Sequence, residues 1–235
     1  KNKSVIITGS ARGIGKAIVD RFAHSASTIF LSARDSNQLE AQAKDLTTSF
    51  PSLTVRWHAA DLSLHESVEN FAAFILQHTR HIDILVNNAG IFLPGNILQE
   101  DEGNFQHIMD TNVKSVYTLC RRLVPMMKND LKGHIFNICS VASLKAYPNG
   151  GSYSISKFAL YGLTQNLRHE LKEFNVKVTA VIPGATWTDS WSQSGIPRER
   201  FMEADDIALM IYQATQLSAG AVVEEIVMRP QLGDI

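Results

Sequence analysis

The sequence predicts an α/β fold: a doubly wound, mostly parallel, seven-stranded sheet with helices on both faces. Three observations carry that prediction. Short apolar runs alternate with longer segments whose apolar residues recur at helical spacing, and such alternation builds right-handed βαβ units around a parallel sheet. No Pro/Gly/Ser-rich linker, repeat or low-complexity stretch interrupts it, so residues 1–235 read as one domain. A glycine-rich turn joins the first strand to the first helix, where folds of this kind hold ligands.

Residues 4–8 (SVIIT) are almost wholly apolar and end at Gly9, as a strand covered on both faces should. Residues 15–24 place Ala17, Ile18, Phe22 and Ala23 at helical spacing. The second strand is 28–33 (TIFLSA), and the second helix, 36–49, is stopped by Pro51 ahead of a third strand at 53–59. A helix at 64–79 sets Phe71, Phe74 and Ile75 on one side, and a fourth strand, 82–86, runs into Asn87-Asn88-Ala89-Gly90. One long helix is expected over 102–127, then a strand at 133–139, a helix at 152–173 and a strand at 176–182. A helix at 205–217 and a seventh strand at 222–228 complete the pattern. The least regular stretch, 184–200, reads as a lid over the binding site.

Composition narrows the function. The 235 residues are 45% hydrophobic and carry a formal net charge of −1, which argues against disorder and against a nucleic-acid partner. The charge-free stretch 207–223 is broken by Gln213, Thr215, Gln216 and Ser218, so no membrane span is expected. Cys120 and Cys139 lie in apolar surroundings without CxxC spacing or a signal peptide ahead of them, which fits a reduced, cytoplasmic compartment. Eight histidines include no HExxH, and no metal site is expected. A GxSxG elbow and a phosphate-binding GxxxxGK[ST] loop are also absent.

The turn Thr8-Gly9-Ser10-Ala11-Arg12-Gly13-Ile14-Gly15 suits a dinucleotide pyrophosphate. Its glycines let the backbone approach phosphates, and the helix behind it presents free N–H groups and a positive dipole end. An ordinary βα turn is the other reading. The spacing is TGxxxGxG rather than GxGxxG. Further signatures follow in order: Asp61-Leu62, Asn87-Asn88-Ala89-Gly90, Asn112, Ser140, Tyr153-x-x-x-Lys157 and Pro183-Gly184-x-x-x-Thr188. Together they resemble the short-chain dehydrogenase/reductase family over essentially the whole chain.

The resemblance implies a Rossmann-type fold and a nicotinamide cofactor. Gly9, Ser10, Arg12, Gly13, Ile14 and Gly15 would hold its phosphates, and Asp61 and Leu62 its adenine. Asn88, Ala89 and Gly90 would lie by the adenosine ribose, Tyr153 and Lys157 at the nicotinamide ribose, and Pro183, Gly184, Thr186 and Thr188 along the carboxamide. Asp61 has a second reading as the cap of a helix starting near Ser63. The second strand ends in Ser32-Ala33-Arg34-Asp35. Family members that look NAD-specific carry an acidic residue where Ala33 stands. Ala33 leaves room for a 2′-phosphate, and Arg34 and Arg12 can bind one, so NADP(H) is expected. Otherwise the two arginines are solvated surface charges, with Asp35 partly neutralising Arg34.

The same resemblance makes Asn112, Ser140, Tyr153 and Lys157 the catalytic set. Hydride transfer to a carbonyl leaves an alkoxide that needs a proton, and a phenol is a poor partner near neutrality unless its anion is stabilised. Tyr153 and Lys157 share a helix face, and the ammonium is expected to lower the tyrosine pKa. The Ser140 hydroxyl would stabilise charge on the substrate carbonyl, with nearby Ser143 a turn residue. Asn112 would hold a water that relays protons to the lysine, or else is a polar residue that kinks its helix.

The substrate is expected to be a small carbonyl or alcohol bounded by Ser140, Tyr147, Tyr153, residues 92–96 and the lid. Trp187 and Trp191 would stack on it or pack the lid onto the core. Residues 222–230 lack the glycine pair of many 3-oxoacyl-carrier-protein reductases and, with 31–34, look more like sepiapterin-reductase-type members. A pterin side-chain ketone is therefore one candidate. The alternatives are a 3-oxoacyl thioester reductase, NAD-linked alcohol oxidation, and a non-catalytic NADP(H)-binding sensor, which the complete catalytic set speaks against. Helices 102–127 and 152–173 carry more apolar residues than one sheet face needs, and similar proteins pair through them, so a homodimer or homotetramer is expected.

Overall fold

Seven strands form one sheet in the order β3-β2-β1-β4-β5-β6-β7, and every neighbouring pair is parallel. The computed structural model describes residues 3–188, 191 and 194–235. The strands are β1 (Lys3–Thr8), β2 (Ala26–Ala33), β3 (Thr54–Ala59), β4 (Ile84–Asn87), β5 (Gly133–Ile138), β6 (Val176–Pro183) and β7 (Glu225–Met228). Between them lie α1 (Gly13–Ala23), α2 (Ser36–Ser49), α3 (His65–His78), α4 (Asn104–Met109), α5 (Ser115–Asn129), α6 (Gly151–Leu171) and α7 (Ala204–Ala214). The expected doubly wound α/β fold is present, and its sheet is wholly rather than mostly parallel.

Successive strand side chains face opposite sides, so the apolar strands feed two cores. Val5 and Ile7 pack with Ile18 and Phe22 of α1, Leu39 of α2 and Ile211 of α7. Ile6 packs on the other face with Phe71 and Ile75 of α3 and Leu119 and Leu123 of α5. Each such side chain contributes roughly 1.5–3 kcal/mol by leaving water. β1 has β2 on one side and β4 on the other. The connections therefore diverge at this point, and a crevice opens beyond the C-terminal ends of β1 and β4.

Three elements depart from the sequence reading. The helix expected over 102–127 is broken into α4, a wide π turn (Asp110–Lys114) and α5. The Asn112 amide is held from outside the helix by Ile91, and the Thr111 hydroxyl bonds the His107 carbonyl at 2.9 Å. Both draw the turn away from a regular α ladder. β7 starts at Glu225 rather than 222: ahead of it Val223 O accepts from the Thr179 hydroxyl, and Glu224 O accepts from both Ala180 N and the Arg168 guanidinium. α7 ends at Ala214 rather than 217, where the Thr215 hydroxyl donates to the Tyr212 carbonyl at 2.7 Å.

Candidate active site

The glycine turn and the turn after β4 are built into each other. Thr8 Oγ1 accepts from the backbone N–H groups of Asn88 and Ala89, both at 3.0 Å. Asn88 Nδ2 donates back to the carbonyls of Thr8 and Gly9 at 2.9 and 3.0 Å. A Cβ on Gly15 would fall 2.1 Å from Gly9 O, and Gly13 sits at φ +53 with Thr188 against it. Larger residues at either position would fill the space above α1. Ser10 is placed differently from expectation. It is fully buried, and its hydroxyl donates to Ser32 O at 3.3 Å, which ties the turn to β2 instead of facing a phosphate.

A cleft of about 620 Å³ opens over these turns. Gly9, Arg12, Gly13, Ile14 and Gly15 form its floor, Ala33 and Arg34 one end, and Asp61 and Leu62 a side wall. Asn88, Ala89, Gly90 and Thr188 line it too. Arg12 and Arg34 make no ion pair among the described residues. Asp35 makes no ion pair with Arg34 among the described residues: its Oδ1 caps α2, accepting from Asn37 N and Gln38 N at 2.9 and 3.2 Å. The Asp61 carboxylate accepts from Ser63 N at 2.9 Å and from Ser63 Oγ at 2.7 Å through one oxygen. Burial would raise its pKa, but the Ser63 bonds and the charge of Arg34 outweigh that and lower it. Asp61 thus shapes the chain entering α3 while its other oxygen stays unused by these bonds. Gln38, His107 and Thr111 also line the cleft, and the sequence reading missed them. Nothing local marks either His107, on α4, or Thr111, in the π turn.

Gly90 joins this cleft to the buried polar cluster. A Cβ there would lie 3.3 Å from Asn112 Oδ1 and 3.6 Å from Lys157 Nζ. Asn112 Oδ1 accepts from Ile91 N at 2.8 Å, while Nδ2 donates to Ile91 O and Ser156 Oγ, both at 3.0 Å. Its side chain thereby locks the π turn to the chain leaving β4 and to α6. Lys157 is 5% exposed, and its ammonium donates to Ile138 O at 2.8 Å. An ammonium has three donors, and this is its one hydrogen bond among the described residues. Its Nζ is 5.6 Å from the Tyr153 ring centre.

The expected lowering of the tyrosine pKa by Lys157 is not what these surroundings do. Burial pushes the Tyr153 phenol up to about 12, and the Ser140 hydroxyl offsets only part of that rise. Burial also brings Lys157 down to about 8. Desolvation outweighs the Ser140 hydrogen bond here, so the protein by itself holds the phenol protonated. Ser140 caps a short turn, accepting from Ala142 N at 3.1 Å, and its own N–H donates to Ser143 Oγ at 3.2 Å. Phe92 lies edge-on to Tyr153 with ring centres 4.9 Å apart. Burial first, and then Tyr153, push the Tyr147 phenol up.

Pro183 ends β6 paired with Met228, and Gly184 lies under Pro230. The Thr186 hydroxyl donates to Gly184 O at 3.1 Å and the residue is buried, pairing with Met202. These three residues shape the strand end and do not line the cleft, whereas Thr188 does. Trp187 and Trp191 both pack on Phe201, at 5.2 Å between ring centres. Of their two expected roles, the observed contacts are those that pack the lid onto the core. Asp189, Ser190, Ser192 and Gln193 of the expected lid lie outside the described residues. Among the described residues, no three His, Cys, Asp or Glu side chains converge as metal ligands, and no helix is long and apolar enough to cross a membrane.

The donor set fits a phosphorylated dinucleotide: a glycine cradle that a Cβ would fill, the arginines Arg12 and Arg34 on the cleft and a buried ammonium beside Gly90. Comparison with known proteins agrees. Residues 3–198 match the family model described as short chain dehydrogenase. The chain is 35% identical over 244 aligned positions to a sepiapterin reductase of Chlorobaculum tepidum, covering 98% of this chain and 97% of the relative. Among solved structures, it is similar to an alcohol dehydrogenase of Thermococcus sibiricus complexed with 5-hydroxy-NADP. The TM-score is 0.90 at 28% identity, covering 98% of this chain and 97% of that one. It is also similar to L-sorbose reductase of Gluconobacter frateurii complexed with NADPH and L-sorbose, with a TM-score of 0.89 at 25% identity, covering 98% and 96%.

Proposed function

We propose, from the premise that this chain belongs to the short chain dehydrogenase family of oxidoreductases, that it is an NADPH-dependent reductase of small carbonyl compounds. The observation that carries the reading is the junction at Gly90. There a cleft whose guanidinium groups make no ion pair among the described residues meets Asn112 and Lys157, with the Tyr153 ring 5.6 Å from the lysine Nζ. The one-sheet origin of all these groups supports a single domain over residues 1–235.

Arg12 and Arg34 would take the 2′-phosphate, the N–H groups from Gly13 to Gly15 the pyrophosphate, and Asp61, Leu62 and His107 the adenine end. Asn88 to Gly90 would flank the adenosine ribose, Lys157 would donate to the nicotinamide ribose, and Thr188 would close over the phosphates. The bound nicotinamide supplies the hydride. Tyr153 gives its phenolic proton to the developing alkoxide, and the Ser140 hydroxyl donates to the same oxygen. Lys157 stabilises the phenolate left behind, and Asn112 keeps the lysine end of the site in register with the chain leaving β4.

The pH dependence follows from the directions above. Tyr153 stays protonated to well above neutrality, while Lys157 loses its charge as pH rises through about 8. Reductive kcat/KM is therefore expected to hold steady up to that pH and to fall beyond it. A pH profile of NADPH consumption checks this, and a reductive rate that climbs through alkaline pH contradicts it.

The identity to a sepiapterin reductase favours a pterin side-chain ketone among small carbonyls. A screen of pterins, sugars, quinones and acyl thioesters with NADPH consumption as readout tests this. Turnover is expected to be fastest with the pterin. Tight NADPH binding without turnover of any carbonyl would support a sensor instead. Buried free thiols at Cys120 and Cys139 suit a reducing compartment such as the cytoplasm. Tyr117 on α5 and Ile155 and Phe158 on α6 are 48%, 39% and 45% exposed, which supports pairing of these helices in a homodimer or homotetramer. Sedimentation at micromolar concentration is expected to show an oligomer, and a monomer alone would overturn that.

A further inference from the structure

The first turn of α6 carries the proposed acid, yet the residues next to it in sequence give it no side-chain cap: Gly150 and Gly151 precede Ser152. A helix start leaves backbone N–H groups without partners. Here the partner comes from 52 residues upstream. Glu100 Oε1 accepts from Ser152 N at 2.6 Å, and Oε2 accepts from the Ser152 hydroxyl. Such charge-assisted bonds at a helix N-terminus combine short geometry with a favourable dipole.

Two glycines make room for this carboxylate. A Cβ on Gly151, which sits at φ +31, would lie 1.7 Å from Glu100 Oε1, and one on Gly95 would lie 2.6 Å from Glu100 Cγ. Gly95 N also donates to Asn149 O at 3.0 Å, just ahead of the helix. At its other end the same segment is gripped by Asn112 through both backbone groups of Ile91, and Phe92 lies against the Tyr153 ring. The stretch 91–100 is thus fixed at both ends, and both ends bear on Tyr153: one through its chain neighbour Ser152, the other through its ring.

We propose that Glu100 is a positioning residue for Tyr153, holding the start of α6 and the 91–100 wall in the register that proton donation needs. The inference rests on the reading of Tyr153 as the acid. It is tested by steady-state kinetics and NADPH titration on the full-length protein, with Tyr153→Phe as the parallel control. Glu100→Ala is expected to lower kcat at least tenfold with NADPH affinity changed less than twofold. Glu100→Gln keeps an acceptor for Ser152 N, and the hydroxyl can turn to accept from its amide, so kcat is expected to recover to within threefold of the parent.

An unchanged kcat in Glu100→Ala, or an equal loss in kcat and NADPH affinity, overturns the proposal. So does a Glu100→Gln variant as impaired as the alanine. If Glu100→Ala does not fold, Ser152→Ala decides: it removes one of the two donors, and a kcat within twofold of the parent overturns the proposal. If Tyr153→Phe itself turns over normally, it is the assignment of the acid that fails.

Discussion

Tyr153→Phe is expected to lower carbonyl-reduction turnover by about 10²–10⁴-fold, the usual contribution of a positioned general acid, while NADPH affinity stays within a few-fold. The variant keeps the ring, its burial and its edge contact with Phe92, so folding and the shape of the site should persist. What it removes is a hydroxyl that burial keeps protonated and that the Ser140 hydroxyl addresses. Single-turnover reduction with prebound NADPH separates the two quantities, because cofactor binding is then saturated. Retained turnover would leave Ser140 or a solvent molecule as the proton source and would remove Tyr153 from the mechanism.

Arg34→Ala is expected to weaken NADPH binding by about ten- to a hundredfold, the range for losing a hydrogen-bonded charge pair, with NADH affinity nearly unchanged. Ala33 leaves the end of β2 without a carboxylate, and Asp35 is engaged by the N–H groups of Asn37 and Gln38 at the start of α2. Arg34 therefore lines the cleft without an ion pair to its neighbour in sequence. Arg12 stands in the glycine turn on the same cleft, so Arg12→Ala should act in the same direction. Titration of each variant with both cofactors reads the ratio directly. A ratio unchanged in both would make the two arginines solvated surface charges.

Much of the fold was legible because its signals are local. Apolar runs such as Val5-Ile6-Ile7 sit between two cores and show it in every residue. The glycine turn and Tyr153-x-x-x-Lys157 place their groups within one turn of backbone. What was illegible depends on partners distant in sequence. The π turn at Asn112 answers to Ile91, 21 residues away, so α4 and α5 read as one helix. His107, on α4 just ahead of that turn, lines the cleft without any motif to mark it. The direction of the Ser10 hydroxyl is fixed by Ser32 on the adjacent strand. Sequence spacing also pairs Tyr153 with Lys157 correctly but is blind to burial, and burial decides the sign of the tyrosine shift. Glu100 carried no motif at all, since its role exists only where 91–100 meets the start of α6.

The central claim is that this site moves hydride from NADPH to a carbonyl carbon while Tyr153 supplies the proton. The most direct measurement uses NADPH carrying deuterium at both nicotinamide C4 positions, a turned-over ketone, and mass and proton spectra of the alcohol. The expected product carries one deuterium on the carbinol carbon, and Tyr153→Phe forms it at a small fraction of the parent rate. An alcohol without deuterium at that carbon, or NADPH bound tightly with no ketone reduced, would contradict the account.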